Sequence, residues 1–392
     1  MKSSFTLKKT LFAAGAALAT VPAWAQSSVT LYGVVDDAIT YVNNQKGSSN
    51  VYLRQGNLYA SKFGFRGSED LGGGTKAIFD LQAGFDLNTG AASTSGLIFN
   101  RQSYVGLQNT RYGTVTAGRQ YTPYYLMVGP LTGSNWLTGA TGAHPGDIDG
   151  LDTTIRINNS VTYTSPNYYG LTASMMYAFS GIAGSMGKGQ TWSGAVSYAN
   201  GPLSLGAGYL RMNNTGLTSS FDTAATASFS TSAVNQGYVS AKAVQHIATA
   251  GNYTLGNLTL GLSYSNVQYL PGGFSLFKNT AVFNTYAALA DYRFTPAFDV
   301  AGGFSYTAAS KANGITSAAR YEQYSLRESY RLSKRTTLYS TQAYQHASGN
   351  TLGKSGAGNI IAAAPDVGDS QSSTWSSTQG QFVAMFGVAV TF

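Results

Sequence analysis

Residues 252–264, NYTLGNLTLGLSY, hold two short runs of alternating apolar and polar side chains on either side of Gly256-Asn257. A two-residue turn at that dipeptide makes a hairpin in which apolar residues of one strand lie opposite apolar residues of the other. The pairs are Leu255 with Leu258 and Tyr253 with Leu260. This alternation predicts β-strands with one apolar face, because successive side chains of a strand point to opposite sides.

The stretch 192–209, WSGAVSYANGPLSLGAGY, predicts a second hairpin of the same kind. A turn at Asn200-Gly201 places one apolar face across both strands, with aromatic residues near both ends. The expected pairs are Tyr198 with Leu203, Val196 with Leu205 and Trp192 with Tyr209. Aromatic residues at strand ends are typical of barrels that cross the outer membrane.

The two ends of the strand-forming region also alternate. In residues 29–41 the single charge on the apolar side is Asp37. Residues 381–392, QFVAMFGVAVTF, place Phe382, Phe386 and Phe392 on one face together with smaller apolar residues. We expect this segment to be the closing strand, with its phenylalanines pointing outward, because pairing it with the first strand leaves no open sheet edge in lipid.

Connections alternate between tight turns and long segments rich in Gly, Ser, Thr and Asn. The turns lie near Ser165-Pro166, Asn200-Gly201, Gly256-Asn257, Thr295-Pro296 and Ser333-Lys334-Arg335, and the long segments near 181–190, 211–236, 266–283, 308–320 and 347–377. Short turns at one rim and long loops at the other predict an outer-membrane barrel. At about 23 residues for a strand with its share of the connections, the chain supplies about 16 strands.

Composition favours this barrel over a water-soluble β-sandwich. Only 10% of the 392 residues are charged, against roughly a quarter in soluble domains, so the polar strand face suits a lumen better than a soluble surface. The chain has no cysteine, and its stability must come from another source, such as a closed hydrogen-bonded sheet. Its basic residues are spread singly, without the clustered patch expected for nucleic-acid binding.

The N-terminal segment has the pattern of an export signal. A basic start precedes a short apolar run, LFAAGAALATV, and Ala23-Trp24-Ala25 supplies the small residues of a cleavage site. The apolar run is too short to span a bilayer as a helix, which needs about 20 residues. We therefore expect residues 1–25 to be a cleaved signal peptide and residues 26–392 to form one barrel domain.

Several segments resemble Gram-negative general porins, particularly the betaproteobacterial branch. In family order they are SSVTLYGVVDDAITYV (27–42), SKFGFRGSEDLGGGTKAIFDLQ (61–82), FNRQSYVGL with YGTVTAGRQYTP (99–123), NNSVTYTSPNYYGL (158–171) and LSKRTTLY (332–339). The resemblance implies an all-β, 16-stranded antiparallel transmembrane β-barrel with an inward-folded third extracellular loop. It also implies a homotrimer in the bacterial outer membrane, among lipid and lipopolysaccharide, whose terminal aromatic strand is recognised by the barrel-assembly machinery.

The same resemblance implies a basic wall that faces the third loop across the pore. Lys62 in SKFGF, Arg101 in NRQSYVGL and Arg156 in TIRINNSVTY match the basic positions of the family. Arg66 and Arg119 are weaker candidates. Fixed cations at a narrow point of a pore favour the passage of anions.

The acids of the third loop determine how strong the preference for anions is. The family motif Pro-Glu-Phe-Gly-Gly is absent, and the loop has no acid before Asp147, which is followed by Asp149 and Asp152. If these three lie at the base of the loop, the basic wall loses its usual counterweight. We therefore expect a general diffusion porin for small hydrophilic solutes and ions, with a preference for anions.

Other functions are left as alternatives. A substrate-specific channel for an anionic solute or a sugar is one, a plugged barrel with a structural role is another, and a barrel hydrolase is a remote third. His144, His246 and His346 are far apart in the sequence, and no His-Glu-x-x-His, Cys/His cluster or Gly-x-Ser-x-Gly motif is present. We expect no enzymatic activity, no catalytic residues, no cofactor and no metal site.

Overall fold

Antiparallel strands make up most of the molecule. The computed structural model describes residues 28–184, 188–214, 232–370 and 374–392, so the expected signal peptide, residues 1–25, lies outside the described residues. The strands are β1 Ser28–Gln45, β2 Ser48–Gln55, β3 Lys62–Gly72, β4 Thr75–Gly84, β5 Gln102–Asn109, β6 Gly113–Tyr121, β7 Arg156–Thr164, β8 Leu171–Ala178, β9 Thr191–Asn200, β10 Leu203–Asn213, β11 Ala243–Leu255, β12 Leu258–Leu270, β13 Ala281–Arg293, β14 Phe298–Ala309, β15 Arg320–Arg331, β16 Thr336–Ser348, β17 Asn350–Gly353, β18 Gly356–Ala362 and β19 Gly380–Thr391.

The short helices of the described residues all lie between β6 and β7, in residues 122–155, which we call loop 3. They are α1 Pro123–Val128, α2 Gly133–Trp136 and α3 Gly139–Gly142, with 3-10 turns at Gly129–Leu131 and Pro145–Asp147. Thr122 starts α1, because its hydroxyl accepts the Tyr125 N–H at 3.1 Å and Pro123 follows it. Across the described ranges, no helix is long and apolar enough to cross a membrane.

The sheet closes on itself through β1. One edge of β1 pairs with β19, from Val34 opposite Thr391 to Val42 opposite Val383, which confirms the expected closing strand. The other edge pairs with β3 in its first half and with β2 in its second half, so β2 and β3 share one place in the wall. The result is a closed antiparallel barrel of 16 strand positions, as predicted.

The hairpin at Gly256-Asn257 has the predicted register. Leu255 lies opposite Leu258, and Tyr253 lies opposite Leu260. All four belong to the outer, more exposed side of the wall. The alternation of the sequence therefore identifies the face that meets lipid.

The second hairpin departs from its predicted register. Tyr198 lies opposite Leu205 instead of Leu203, so the predicted turn at Asn200-Gly201 is wrong and the turn is Gly201-Pro202. The predicted turn would need Pro202 to donate a backbone N–H to the ladder, and proline has none. Gly201 instead adopts φ +56° as the first central residue of the turn. The shift is even, so the apolar side chains stay on the same face.

The last strand shows the two faces clearly. Phe386 and Phe392 are 61% and 47% exposed, whereas Val383 and Met385 are buried. Phe382 is on the same side as Phe386 and is half-buried. The outer face of β19 is therefore apolar over its whole length.

Loops fill part of the barrel interior with apolar side chains. Tyr124, Ile148 and Leu151 of loop 3 pack in one buried cluster with wall residues such as Leu210 and Tyr269. The sequence pattern predicts small polar residues on the inner face, but the wall itself contributes large apolar side chains there, such as Leu210 of β10 and Tyr269 of β12, which the loop residues cover. Burial of such side chains stabilises the folded loops by roughly 1.5–3 kcal/mol for each large residue.

Candidate pore constriction

Lys62, Arg101 and Arg156 are brought together at the wall although they are far apart in the sequence. Lys62 begins β3, Arg156 begins β7, and Arg101 directly precedes β5. The guanidinium carbons of Arg101 and Arg156 lie 5.9 and 5.2 Å from the ring centre of Tyr121, the last residue of β6. All three cations act on one another electrostatically. We call them the basic cluster.

Hydrogen bonds to the wall hold the two arginines in place. The Arg101 Nε donates to the Gln82 side-chain oxygen at 3.2 Å, and an Arg156 Nη donates to the Tyr121 hydroxyl at 3.4 Å. Both arginines are buried. Their position is therefore set by side chains of neighbouring strands.

The weaker candidates lie outside this cluster. Arg66 is exposed further along β3, and its guanidinium lies 5.0 Å from the ring centre of Tyr32. The Arg119 Nε donates to the Asn100 carbonyl and its Nη1 to the Asn158 side chain, both at 2.6 Å. Those contacts connect Arg119 to neighbouring parts of the wall.

The three acids of loop 3 separate into different surroundings. Asp147 accepts the Asp152 N–H at 3.0 Å and a hydrogen bond from the Thr154 hydroxyl. Asp149 accepts from the Ser265 hydroxyl of β12 at 2.5 Å. Only Asp152 carries marked electrostatic interactions with Arg101 and Arg156.

Burial and neighbouring charges shift the pKa values of these acids differently. Burial raises the pKa of Asp152, and the cations of Arg101 and Arg156 offset only part of the rise. Burial, followed by the charges of Asp152 and Asp149, holds the pKa of Asp147 well above its ordinary value. Burial also acts to raise the pKa of Asp149, but His144, the Ser265 hydroxyl and His246 together outweigh it and hold that pKa below its ordinary value.

Two of the three histidines meet at Asp149, although the sequence places them far apart. The His144 Nδ1 lies 2.6 Å from the Asp149 carboxylate, and the His246 Nδ1 lies 2.7 Å from the Asp149 carbonyl oxygen. Ser265 donates its hydroxyl to the carboxylate, and all four residues are buried. A hydrolase would need a nucleophile that a substrate can reach, and this group instead fastens loop 3 to the wall. Within the described residues, no group of three or more potential ligands is suited to a metal ion.

The sequence analysis missed an acid of the last loop. Residues 349–379, between β16 and β19, form loop 8, and its Asp369 hydrogen bonds to Asp152. The Asp369 carboxylate also lies 3.7 Å from an Arg54 Nη of β2. The sequence clue is PDVGDS at 365–370, an acid pair in a loop otherwise without acids, which no family motif singles out.

A polar cavity of about 150 Å³ adjoins the basic cluster. Lys62 and the segment 56–60 line one side of it, and loop 3 lines the other with Tyr125, Asn135 and Asp152 among its residues. The cavity therefore lies between the wall and loop 3. Its lining combines one cation, one acid and several neutral hydrogen-bonding groups.

A family model described as Gram-negative porin matches residues 11–350. This chain belongs to the Gram-negative porin family. It is 39% identical over 220 residues to outer membrane porin protein 32 of Delftia acidovorans, covering 52% of this chain and 59% of that protein. It is 32% identical over 202 residues to the major outer membrane protein P.IB of Neisseria gonorrhoeae, covering 50% of this chain and 54% of that protein. The chain thus matches these relatives over little more than half of their length.

A solved porin structure resembles the whole barrel. The anion-selective porin from Comamonas acidovorans superposes with a TM-score of 0.66 at 25% identity, covering 94% of this chain and 100% of that chain. The likeness extends over strands and loops that the sequence alignments leave out.

In this porin, glycines of the wall allow loop 3 to lie close against it. A Cβ on Gly206 of β10 would lie 2.4 Å from the Met127 carbonyl oxygen of α1. Farther along loop 3, the Thr141 carbonyl accepts hydrogen bonds from Gln323 and Ser325 of β15. Loop 3 therefore contacts the inner side of the wall at strands well separated around the barrel.

Proposed function

We propose that this porin is an outer-membrane diffusion channel for small hydrophilic solutes and ions, with a preference for anions. One observation carries the proposal: Lys62, Arg101 and Arg156 gather beside a cavity to which loop 3 contributes only one acid, Asp152. That acid shares a hydrogen bond with Asp369, so the pair holds less negative charge than two free carboxylates. Membership of a channel family, and the name of the anion-selective relative, support the same conclusion.

Loop 3 supplies the narrowing in this proposal. Its contacts run from the Tyr124 N–H, which donates to Ser193 of β9 at 3.1 Å, to the hydrogen bonds of Thr141 with β15. A segment held at both places lies across the lumen. A low-dielectric passage of this kind strengthens the field of the cations that line it.

The test is the reversal potential of the purified protein in a planar bilayer under a salt gradient. The wild type is expected to give an anion-signed potential. Lys62→Glu, Arg101→Glu and Arg156→Glu each change the local charge by two units, worth about 1.6 kcal/mol at ~5 Å in water before screening. Each should therefore lower the anion-to-cation permeability ratio by roughly 3- to 10-fold.

Lys76→Glu is the matched control, because Lys76 is exposed in β4 and lies outside the basic cluster. It should leave the reversal potential near that of the wild type. A cation-signed potential for the wild type would reject the anion preference. Conductance that saturates with one solute and not with others would favour a substrate-specific channel.

The partners of the channel form part of the same proposal. A homotrimer among outer-membrane lipid and lipopolysaccharide is the expected assembly, and Phe382, Phe386 and Phe392 at the end of the chain are the expected contact for the assembly machinery. Sedimentation in detergent tests the trimer, and a mass of one chain would contradict it. The amount of Phe392→Ser protein in the outer membrane, against a Thr391→Ser control, tests the role of the aromatic residue.

A further inference from the structure

The wall opposite loop 3 contains a short segment that is not paired in the barrel sheet. Val34 of β1 pairs with Lys62, and Asp37 pairs with Gln55. Three residue steps on β1 therefore correspond to seven on the partner strand, so residues 56–61 leave the sheet between β2 and β3. The excursion starts at Gly56, whose φ of +76° is a turn conformation that suits glycine.

This segment is on the inner side of the wall. Asn57 and Ser61 are 1% and 2% exposed, which lipid-facing residues of this barrel are not. Residues 56–60 line the same cavity of about 150 Å³ as Asn135 and Asp152 of loop 3. We call residues 56–61 the inner lip.

One buried carboxylate holds the inner lip. Asp36 of β1 is fully buried, and its two oxygens accept from the Tyr59 N–H at 2.6 Å and from the Tyr339 hydroxyl of β16 at 2.5 Å. The N–H groups of Asn57 and Leu58 also donate to it. Successive N–H groups that converge on one anion form a concave backbone nest, and the nest here sets the path of the lip.

Further bonds lock the two ends of the lip. The Gly56 N–H donates to the Asp36 carbonyl at 3.0 Å, and the Ser61 hydroxyl donates to the same carbonyl at 3.2 Å. The Asn57 amide donates to the Arg54 carbonyl at 2.6 Å and to the Tyr339 hydroxyl at 3.2 Å. Asp36 and Tyr339, both buried, therefore hold the lip in its position in the wall.

We infer that the inner lip narrows the pore from the wall side, facing loop 3, which narrows it from the other side. Asp36 is the positioning residue that keeps the lip in the lumen. This inference rests on the proposed function, since the lip can limit the width of a pore only if the barrel is a conducting channel. It adds a determinant of pore width that comes from the wall and not from a loop. Lys62 directly follows the lip, so the lip also sets where that cation stands.

A thiol placed on the lip tests its location. Tyr59 is 48% exposed and lines the cavity, and the chain has no cysteine of its own. Modification of Tyr59→Cys with a negatively charged methanethiosulfonate reagent should lower single-channel conductance in steps and lower the anion preference. Ser48→Cys, exposed at the start of β2, is the control and should show no block. Unchanged conductance of modified Tyr59→Cys would overturn the inference.

Asp36→Asn tests the anchor. An amide nitrogen in place of one carboxylate oxygen turns an acceptor into a donor that faces other donors, so the lip should loosen. In the Tyr59→Cys background we expect loss of most of the reagent's block and a higher open-channel conductance. Tyr339→Phe should give the same changes in a milder form.

Asp37→Asn is the matched control, because Asp37 is the next residue of β1 and points to the outer side, where Asn88 donates to it at 3.3 Å. The mobility shift between unheated and heated electrophoresis samples verifies that each variant is folded. If folded Asp36→Asn and Tyr339→Phe channels both behave like Asp37→Asn, the anchor is rejected. The block is measured on whichever ions the wild type conducts, so a wrong anion preference and a wrong lip give different results.

Discussion

In the proposed constriction, Asp152 is the loop 3 acid whose charge interacts most with the basic cluster. It interacts with Arg101 and Arg156 and hydrogen bonds to Asp369. Two carboxyl groups in contact cannot both ionise readily, so a proton is retained at higher pH than on an isolated aspartate. For Asp152 itself, burial raises the pKa, and the hydrogen bonds from Thr153 and with Asp369 and the charges of Arg101 and Arg156 offset only part of that rise. The negative charge that opposes the basic cluster is therefore sensitive to pH.

We predict that the anion preference rises as the pH falls. A raised pKa means that Asp152 gains its proton at a higher pH than usual, and each proton gained removes negative charge from beside Arg101 and Arg156. Asp152→Asn should show a higher anion preference at neutral pH and a weaker dependence on pH. Reversal potentials measured across a pH series provide the comparison, with the exposed Glu69→Gln of β3 as control. Equal pH dependence in Asp152→Asn and the wild type would contradict this assignment.

The residues of the site differ in how far they can be predicted. Lys62, Arg101 and Arg156 stand in segments that resemble the family, and that resemblance predicts them as one group, whose role in the pore stays a prediction. Arg54 and Asp369 stand in no such segment, and the family-like segment 27–42 contains Asp36 without indicating a role for it in the site. Their roles depend on contacts between β2, loop 8 and β1, and separation along the chain conceals those contacts.

At the scale of elements, loop 3 keeps its position by close packing against the wall. Thr122-Pro123 starts α1 at the end of β6, and this start is readable in the sequence. The approach of α1 to β10 is not readable, because it depends on which inner-facing residues of a distant strand lack a side chain. Gly206 meets that requirement through its position and not through any turn.

We predict that Gly206→Ala displaces α1 and changes single-channel conductance. The added Cβ would lie 2.4 Å from the Met127 carbonyl oxygen, and such overpacking costs about 1–3 kcal/mol. Gly194→Ala on neighbouring β9 is the control, because the nearest atom to its Cβ, the Ser174 carbonyl oxygen, is 4.0 Å away. Indistinguishable conductance for the two folded variants would show that α1 does not limit the pore.

At the scale of the whole molecule, the seam between β1 and β19 completes the barrel. Phe392 continues the pairing beyond β19, since its N–H and carbonyl both bond to Gly33 at 3.0 Å. Closure satisfies the backbone groups of both strands, and this is the condition for placing a sheet in lipid. Gly33 leaves room for the Phe392 ring, since a Cβ there would lie 2.4 Å from that ring.

We predict that Gly33→Ala lowers the temperature at which the barrel loses its compact electrophoretic mobility. Its Cβ would also lie 2.7 Å from the Lys62 carbonyl oxygen of β3, so the seam must shift at a cost of about 1–3 kcal/mol. Gly302→Ala in β14 is the control, because the nearest atom to its Cβ, the Ser325 carbonyl oxygen, would be 3.9 Å away. Identical transition temperatures for the two variants would argue against tight packing at the seam.

The sequence by itself determined the class of the fold, the number of strand positions and the lipid-facing side of the strands. Period-two alternation and turn residues are local patterns, so they can be recognised in the sequence without knowledge of the fold. The tertiary structure alone decided the register at Gly201-Pro202 and the path of the inner lip. It also decided that the three acids of loop 3 have different neighbours and that Asp369 hydrogen bonds to one of them, Asp152. These features depend on contacts between segments that are distant along the chain, and no local pattern encodes such contacts.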